Sequence, residues 1–180
     1  VDRIVPTGVE RTFAPDDIIV SKTDLTGHLT YVNDVFLEVS RFEEDFLIGR
    51  PHNVIRHPDM PSAVFKLLWD EIQAGREIFA YVNNIAADGA HYWVLAHVTP
   101  TFAGGGAITG FHSNRRTVTP AALAQVTPVY ARLLAAERAA GASRAAAVAA
   151  GSAELQAVLA EAGIDYDQWV WSLEPQEVAA

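Results

Sequence analysis

Apolar and polar residues alternate in short runs along the first part of the chain and gather into helical stripes along the last part. Ile18-Ile19-Val20-Ser21-Lys22-Thr23 has strand composition, and Asp24-Leu25-Thr26-Gly27 reads as a tight turn in which glycine supplies a positive φ. His28-Leu29-Thr30-Tyr31-Val32 then returns as the hairpin partner. From Asn33 the spacing turns helical and broken. Val35, Phe36 and Val39 recur on one face behind Asn33, a good N-cap, and Gly49-Arg50-Pro51 stops a second short turn centred on Phe46 and Leu47. Pro61 opens a longer helix with Val64, Phe65, Leu68, Trp69 and Ile72 in one stripe and Gly75 at the C′ position. Three strand-like runs follow, over residues 78–86, 91–102 and 107–116, joined by Asp88-Gly89 and Gly104-Gly105-Gly106 turns. The pattern predicts an α+β fold: a five-stranded antiparallel sheet whose last three strands form a meander, with short helices between the two groups.

Composition changes near residue 118, where alanine begins to dominate. Thr119-Pro120 joins an N-cap to a proline at the first helical position, and Leu123, Val126, Tyr130, Leu133 and Leu134 make an amphipathic stripe. Pro128 is expected to kink or restart that helix. Ser143 caps a second helix that runs to about residue 162, with Val148, Leu155, Val158 and Leu159 facing one way and Gly163 closing it. The pair is predicted to pack as an antiparallel hairpin. Residues 165–173 read as an acidic tail carrying Trp169 and Trp171.

With 180 residues, 50% of them hydrophobic, the chain is long enough for one domain and an appendage. A net charge of −9 without any run of lysine or arginine argues against nucleic acid or an anionic membrane as partner. The absence of cysteine excludes disulfides, thiolate nucleophiles, zinc–thiolate and iron–sulfur sites, and photochemistry through a cysteinyl adduct. No stretch approaches the about 20 apolar residues of a spanning helix. Val1-Asp2-Arg3-Ile4-Val5-Pro6 lacks the plan of a signal peptide, so a soluble, cytoplasmic protein is expected.

No nucleophile elbow, H-E-x-x-H, P-loop or dinucleotide fingerprint is present, so no enzyme activity is expected. The triple glycine joins two strands instead of opening a helix, which argues against a phosphate site. The densest polar cluster is His52-Asn53-Val54-Ile55-Arg56-His57-Pro58-Asp59-Met60-Pro61. Its carboxylate and imidazole groups stand beside an arginine that repels a cation, so a metal site is disfavoured. Two readings stay open. Asp59 caps the following helix while Arg56 pairs with it. Alternatively, the loop lines a pocket in which Phe65 and Trp69 flank a flat aromatic ligand and either Asn83 or Asn84 addresses its polar edge; strand alternation allows only one of the two.

Asn33-Asp34-x-Phe36, Val39-Ser40, the run from Gly49 through Arg56-His57-Pro58-Asp59-Met60-Pro61, Trp69, and Asp88-Gly89-x-His91-Tyr92-Trp93-Val94 resemble the PAS domain of the bacterial aerotaxis receptor family over roughly residues 15–118. The resemblance implies a PAS fold over residues 18–118, after an N-terminal cap over 1–17 and before a helical extension over 119–180. It implies non-covalent FAD, sensing of redox state or oxygen, a homodimer, and a signalling partner of the chemotaxis or kinase type. Carried over residue by residue, it places Asn33, Arg56, His57, Asp59, Phe65, Trp69 and Asn84 at the flavin. Ile85-Ala86-Ala87 stands where the family carries basic residues, and no membrane anchor or signalling coiled coil is evident, so a stand-alone soluble sensor is expected. In such a sensor, reduction of the flavin would flip the Asn84 amide and move the helices after Arg116. The alternatives are a haem-binding PAS sensor, with His52, His57, His91, His97 or His112 as axial ligand, and a cofactor-free interaction module that docks a partner through Trp169 and Trp171. Blue-light sensing by electron transfer from nearby aromatics is a minor reading.

Overall fold

The structure, a computed structural model, describes residues 4–141 and 143–173. The outer ends of the expected cap and extension, residues 1–3 and 174–180, lie outside the described residues, as does residue 142. The chain forms two compact units. One runs to Pro58 and includes Glu71–Thr117; the other joins Asp59–Asp70 to the chain from Val118.

The first unit holds the sheet. Its elements are β1 (Ile19–Thr23), β2 (Leu29–Val32), α1 (Asp34–Ser40), α2 (Glu44–Leu47), a 3₁₀ turn (His52–Ile55), β3 (Ile78–Ile85), β4 (His91–Phe102) and β5 (Ile108–Arg116). The strand order is β2-β1-β5-β4-β3, antiparallel throughout, so the opening hairpin docks beside the last strand of the meander. β3 is an edge strand, but Arg56 pairs with Asn84 through the backbone and His57 N donates to Asn83 O at 3.3 Å. The Arg-His segment thereby covers part of an edge that would otherwise offer unpaired amides. Residues before β1 also run along the sheet: Arg11 N donates to His91 O at 2.7 Å and His91 N to Val9 O at 2.9 Å. At Gly89, φ is +84° and a Cβ would lie 2.4 Å from Val5 O, so the β3–β4 turn needs glycine for both its conformation and this close approach.

Register fixes the faces. Asn84 stands opposite Tyr92, Ala96 opposite Arg115, and Ser113 opposite Ser21. Directly opposed residues share a face and alternate residues share it too, so Asn84, Tyr92, Val94, Ala96, Ser113, Arg115 and Ser21 all point one way. Phe36 of α1, fully buried, lies over this inner face. Asn83, His97, His112 and Asn114 point the other way.

The second unit contains the start of α3 (Ser62–Gln73), then α4 (Pro120–Ala139), α5 (Arg144–Ala162) and α6 (Tyr166–Ser172). Thr119 and Ser143 cap α4 and α5 as their sequence predicts, and Gly163 ends α5 in the left-handed region. The two helices pack as an antiparallel hairpin, with Arg132 on Glu154 at 2.8 Å and on Glu161 at 2.9 Å. One expectation is corrected. Pro128 does not restart α4, which is continuous through it. In the turn where proline offers no amide, the Thr127 hydroxyl donates to Leu123 O at 2.8 Å. The acidic, aromatic tail is helical: Asp165 and Gln168 form a reciprocal capping box, Trp169 is buried, and Trp171 is 44% exposed. No helix among the described residues is long and apolar enough to cross a membrane.

Candidate functional site

Arg115 is the least expected residue of the inner sheet face. It is 5% exposed, and its Nη2 donates to Ser21 Oγ at 2.9 Å and to His52 Nε2 at 2.5 Å, while its guanidinium carbon lies 5.8 Å from the Phe36 ring centroid. Its partners are neutral, and among the described residues no carboxylate pairs with it. Burial pulls its pKa down to about 10, which leaves it charged at neutral pH. His52 is correspondingly held neutral: burial first, then the adjacent guanidinium, push its pKa well below the ordinary imidazole value. With Nε2 accepting from Arg115, the His52 proton belongs on Nδ1. Burial likewise raises the Tyr92 phenol, so it stays protonated.

Three buried polar atoms on this face lack a hydrogen-bond partner: Asn84 Nδ2, Ser113 Oγ and Arg115 Nη1. Buried donors are normally paired, because leaving one unmade costs about 1–3 kcal/mol. Three of them gather on one sheet face, which makes that face the candidate ligand surface.

The residues expected at the site divide between the two units. Asn33, Arg56, His57 and Asn84 belong to the first, and Asp59, Phe65 and Trp69 to the second. Of the pair Asn83 and Asn84, register puts Asn84 on the inner face. Asn33 has structural duties: its Oδ1 accepts from Phe36 N at 3.1 Å and from Val20 N at 2.9 Å, and its Nδ2 donates to Ile18 O at 2.8 Å. Arg56 and His57 engage β3 through their backbone, and the buried His57 ring lies 5.8 Å from that of His91. Phe65 and Trp69 are half-buried on α3. Asp59, 63% exposed on its side chain, receives Arg138 Nη2 at 3.4 Å. The first amides of α3 are capped from elsewhere: Ser62 N and Ala63 N donate to the Glu137 carboxylate at 3.0 and 2.8 Å.

Among the histidines considered for haem, His97 and His112 stand on the face opposite Arg115 and bond Glu77 and Asn114. His52, on the inner side, gives its Nε2 to Arg115 and Ser21. No group of three metal-ligating side chains occurs among the described residues.

Sequence reasoning passed over Arg115, Ser113 and Ser21. The signal was present in the alternation: Phe111, Ser113 and Arg115 share parity, and in Arg115-Arg116 one of two adjacent arginines has to face inward.

The fold and this buried, partly unpaired inner face define a PAS domain. Residues 16–114 match the PAS family, described as the PAS fold, and the chain belongs to that family. It is 39% identical over 120 residues to the aerotaxis receptor of Escherichia coli (strain K12), an alignment covering 67% of this chain and 24% of the receptor. It is 24% identical over 91 residues to blue-light-activated histidine kinase 1 of Erythrobacter litoralis (strain HTCC2594), covering 51% of this chain and 25% of the kinase. The chain thus spans about a quarter of the length of these curated relatives. Among solved structures, the dark structure of the blue-light photoreceptor Aureochrome1 LOV superposes with a TM-score of 0.57 at 18% identity, over 61% of this chain and 82% of that one, a likeness of fold.

Proposed function

We propose that this chain is a flavin-binding PAS sensor, with FAD as the cofactor, which reports redox state or oxygen to a signalling protein of the chemotaxis or kinase type. The observation that carries the reading is the inner sheet face with Asn84 Nδ2, Ser113 Oγ and Arg115 Nη1 buried and unpaired. An isoalloxazine fits this donor set, because its pyrimidine edge is rich in carbonyl and ring-nitrogen acceptors. Asn84 and Arg115 would hold that edge, and the bound flavin would supply reversible two-electron chemistry. The family resemblance in Arg56-His57-Pro58-Asp59-Met60-Pro61 and the relation to the aerotaxis receptor favour FAD among flavins. The donor-rich face favours a flavin over haem, which would ask for an imidazole nitrogen left open to iron. The role is binding and signalling without turnover, in a homodimer, with the exposed Trp171 on α6 a candidate partner contact.

The test is the absorption spectrum of the purified chain, oxidised and after dithionite, with released cofactor identified by mass. Bands near roughly 370 and 450 nm that bleach on reduction, with FAD released, are the expected result. A Soret band near roughly 400–430 nm would replace the flavin by haem. A colourless protein that also refuses added FAD would overturn cofactor binding and leave the interaction module.

A further inference from the structure

Arg115 presents an imbalance. A guanidinium 5% exposed, with only a serine hydroxyl and a neutral imidazole as hydrogen-bond partners and one nitrogen unpaired, is an expensive group to keep inside a fold. Buried charges are retained when an opposite charge meets them, and the protein supplies none here among the described residues. The surroundings keep the cation from being quenched. Ser21 and His52 engage Nη2 and leave Nη1 unpaired, and the residue directly opposite Arg115 on β4 is the small Ala96, with Ala80 opposite that on β3.

We propose that Arg115 is the counter-charge for the negative charge a bound flavin acquires on reduction, so that the charge of this one guanidinium sets the reduction potential of the sensor. The inference rests on the flavin reading above and goes beyond it, since that reading says only that a flavin binds. Reduction of a bound flavin would draw two electrons from a reduced soluble electron carrier and one proton, at N5, from solvent. The second proton need not follow, because the negative charge left over N1 and the C2 carbonyl can be held by a cation. An oxidised flavin, neutral in its ring, would gain only a hydrogen bond from the same guanidinium. The differential between the two states is what moves a potential.

The experiment is dye-equilibrated spectroelectrochemistry of the flavin-loaded chain beside Arg115→Gln and Arg115→Lys, with thermal melting of each protein in flavin-free and loaded forms. Arg115→Gln should still take up oxidised flavin but bind the reduced form at least tenfold less tightly relative to the oxidised, a fall of about 30 mV or more for a two-electron couple. Arg115→Lys, which keeps the charge, should recover most of that shift. Without flavin, Arg115→Gln should melt at a higher temperature than the parent, because an uncompensated buried charge has gone. Ser21→Ala, which removes one Nη2 partner and leaves the cation, guards against a glutamine variant that does not fold and should leave the potential near that of the parent. A loaded Arg115→Gln protein with the parent potential would overturn the counter-charge while leaving flavin binding intact. So would a lysine variant as shifted as the glutamine one, or, if the glutamine variant does not fold, a lysine variant shifted by 30 mV or more. A parent chain that takes up no flavin would overturn the underlying reading instead.

Discussion

Glu137 lies directly over Gly151. A Cβ at Gly151 would fall 2.5 Å from Glu137 Oε1 and 2.8 Å from its Cγ, with Ala63 Cβ at 3.0 Å, so the bare backbone of α5 leaves the space through which a side chain of α4 reaches the start of α3. Glutamate at this position is 8% exposed and uses both oxygens on the Ser62 and Ala63 amides. Three helices of the second unit are joined at one carboxylate.

Substituting Gly151 should therefore reverse the usual helix rule. Glycine to alanine inside a helix normally stabilises by about 0.5–1 kcal/mol. Here the added methyl meets a carboxylate pinned by two hydrogen bonds, and Gly151→Ala is expected to destabilise by about 1–3 kcal/mol. Urea unfolding is the measurement, and a gain in midpoint would refute the packing.

Glu137→Ala should lose the cap and leave two amides of α3 unpaired, at a cost of about 1–3 kcal/mol. Glu137→Gln, which keeps one acceptor oxygen, should cost less than the alanine variant. Equal losses in the two variants, read from denaturant midpoints, would show that the hydrogen bonds to α3 contribute little.

The neutral His52 makes a prediction about acid. Folding holds this imidazole well below its ordinary value of 6.5, whereas the unfolded chain takes up a proton near that value. Its contribution to stability is thus complete above about pH 6.5 and is lost as pH falls from there toward the depressed folded pKa, with a slope of at most about 1.4 kcal/mol per pH unit. Stability curves between pH 7 and 5 should be flatter for His52→Gln than for the parent. An identical acid limb in both proteins would show that another group governs it.

Asn33 should behave as a structural residue. Asn33→Ala removes the cap on Phe36 N and the bond to Val20 N and is expected to cost about 1–2 kcal/mol. Asn33→Asp keeps the acceptor and should cost less. Flavin bound per folded molecule should be the same in both variants as in the parent. A selective loss of flavin at unchanged stability would instead assign Asn33 to the ligand, as the family resemblance implies.

Much of the architecture follows from local chemistry. Asn33, Thr119, Ser143 and Gly163 act at the helix ends where their spacing puts them, because a cap is an agreement between a side chain and amides two or three residues away. The hairpin and meander bounds agree with the alternation to within a residue, since a strand half exposed to water has to alternate. The α6 helix was hidden because its polar and aromatic residues carry no strong stripe; its capping box, Asp165 with Gln168, was the readable sign.

The candidate site was legible only in part. By itself the sequence determines the secondary elements, the PAS class through its motifs, and the presence of an amide on β3 able to address a ligand. Tertiary structure decides which polar groups are buried together. That Ser21 stands opposite Ser113, that His52 from a loop reaches Arg115 from the last strand, and that Glu137 caps α3 all depend on register and on helix packing across long stretches of chain. A guanidinium in a sequence is most simply a surface charge. It takes the pairing of β5 between β1 and β4 to bury this one, and among the described residues no carboxylate is brought beside it to balance its charge.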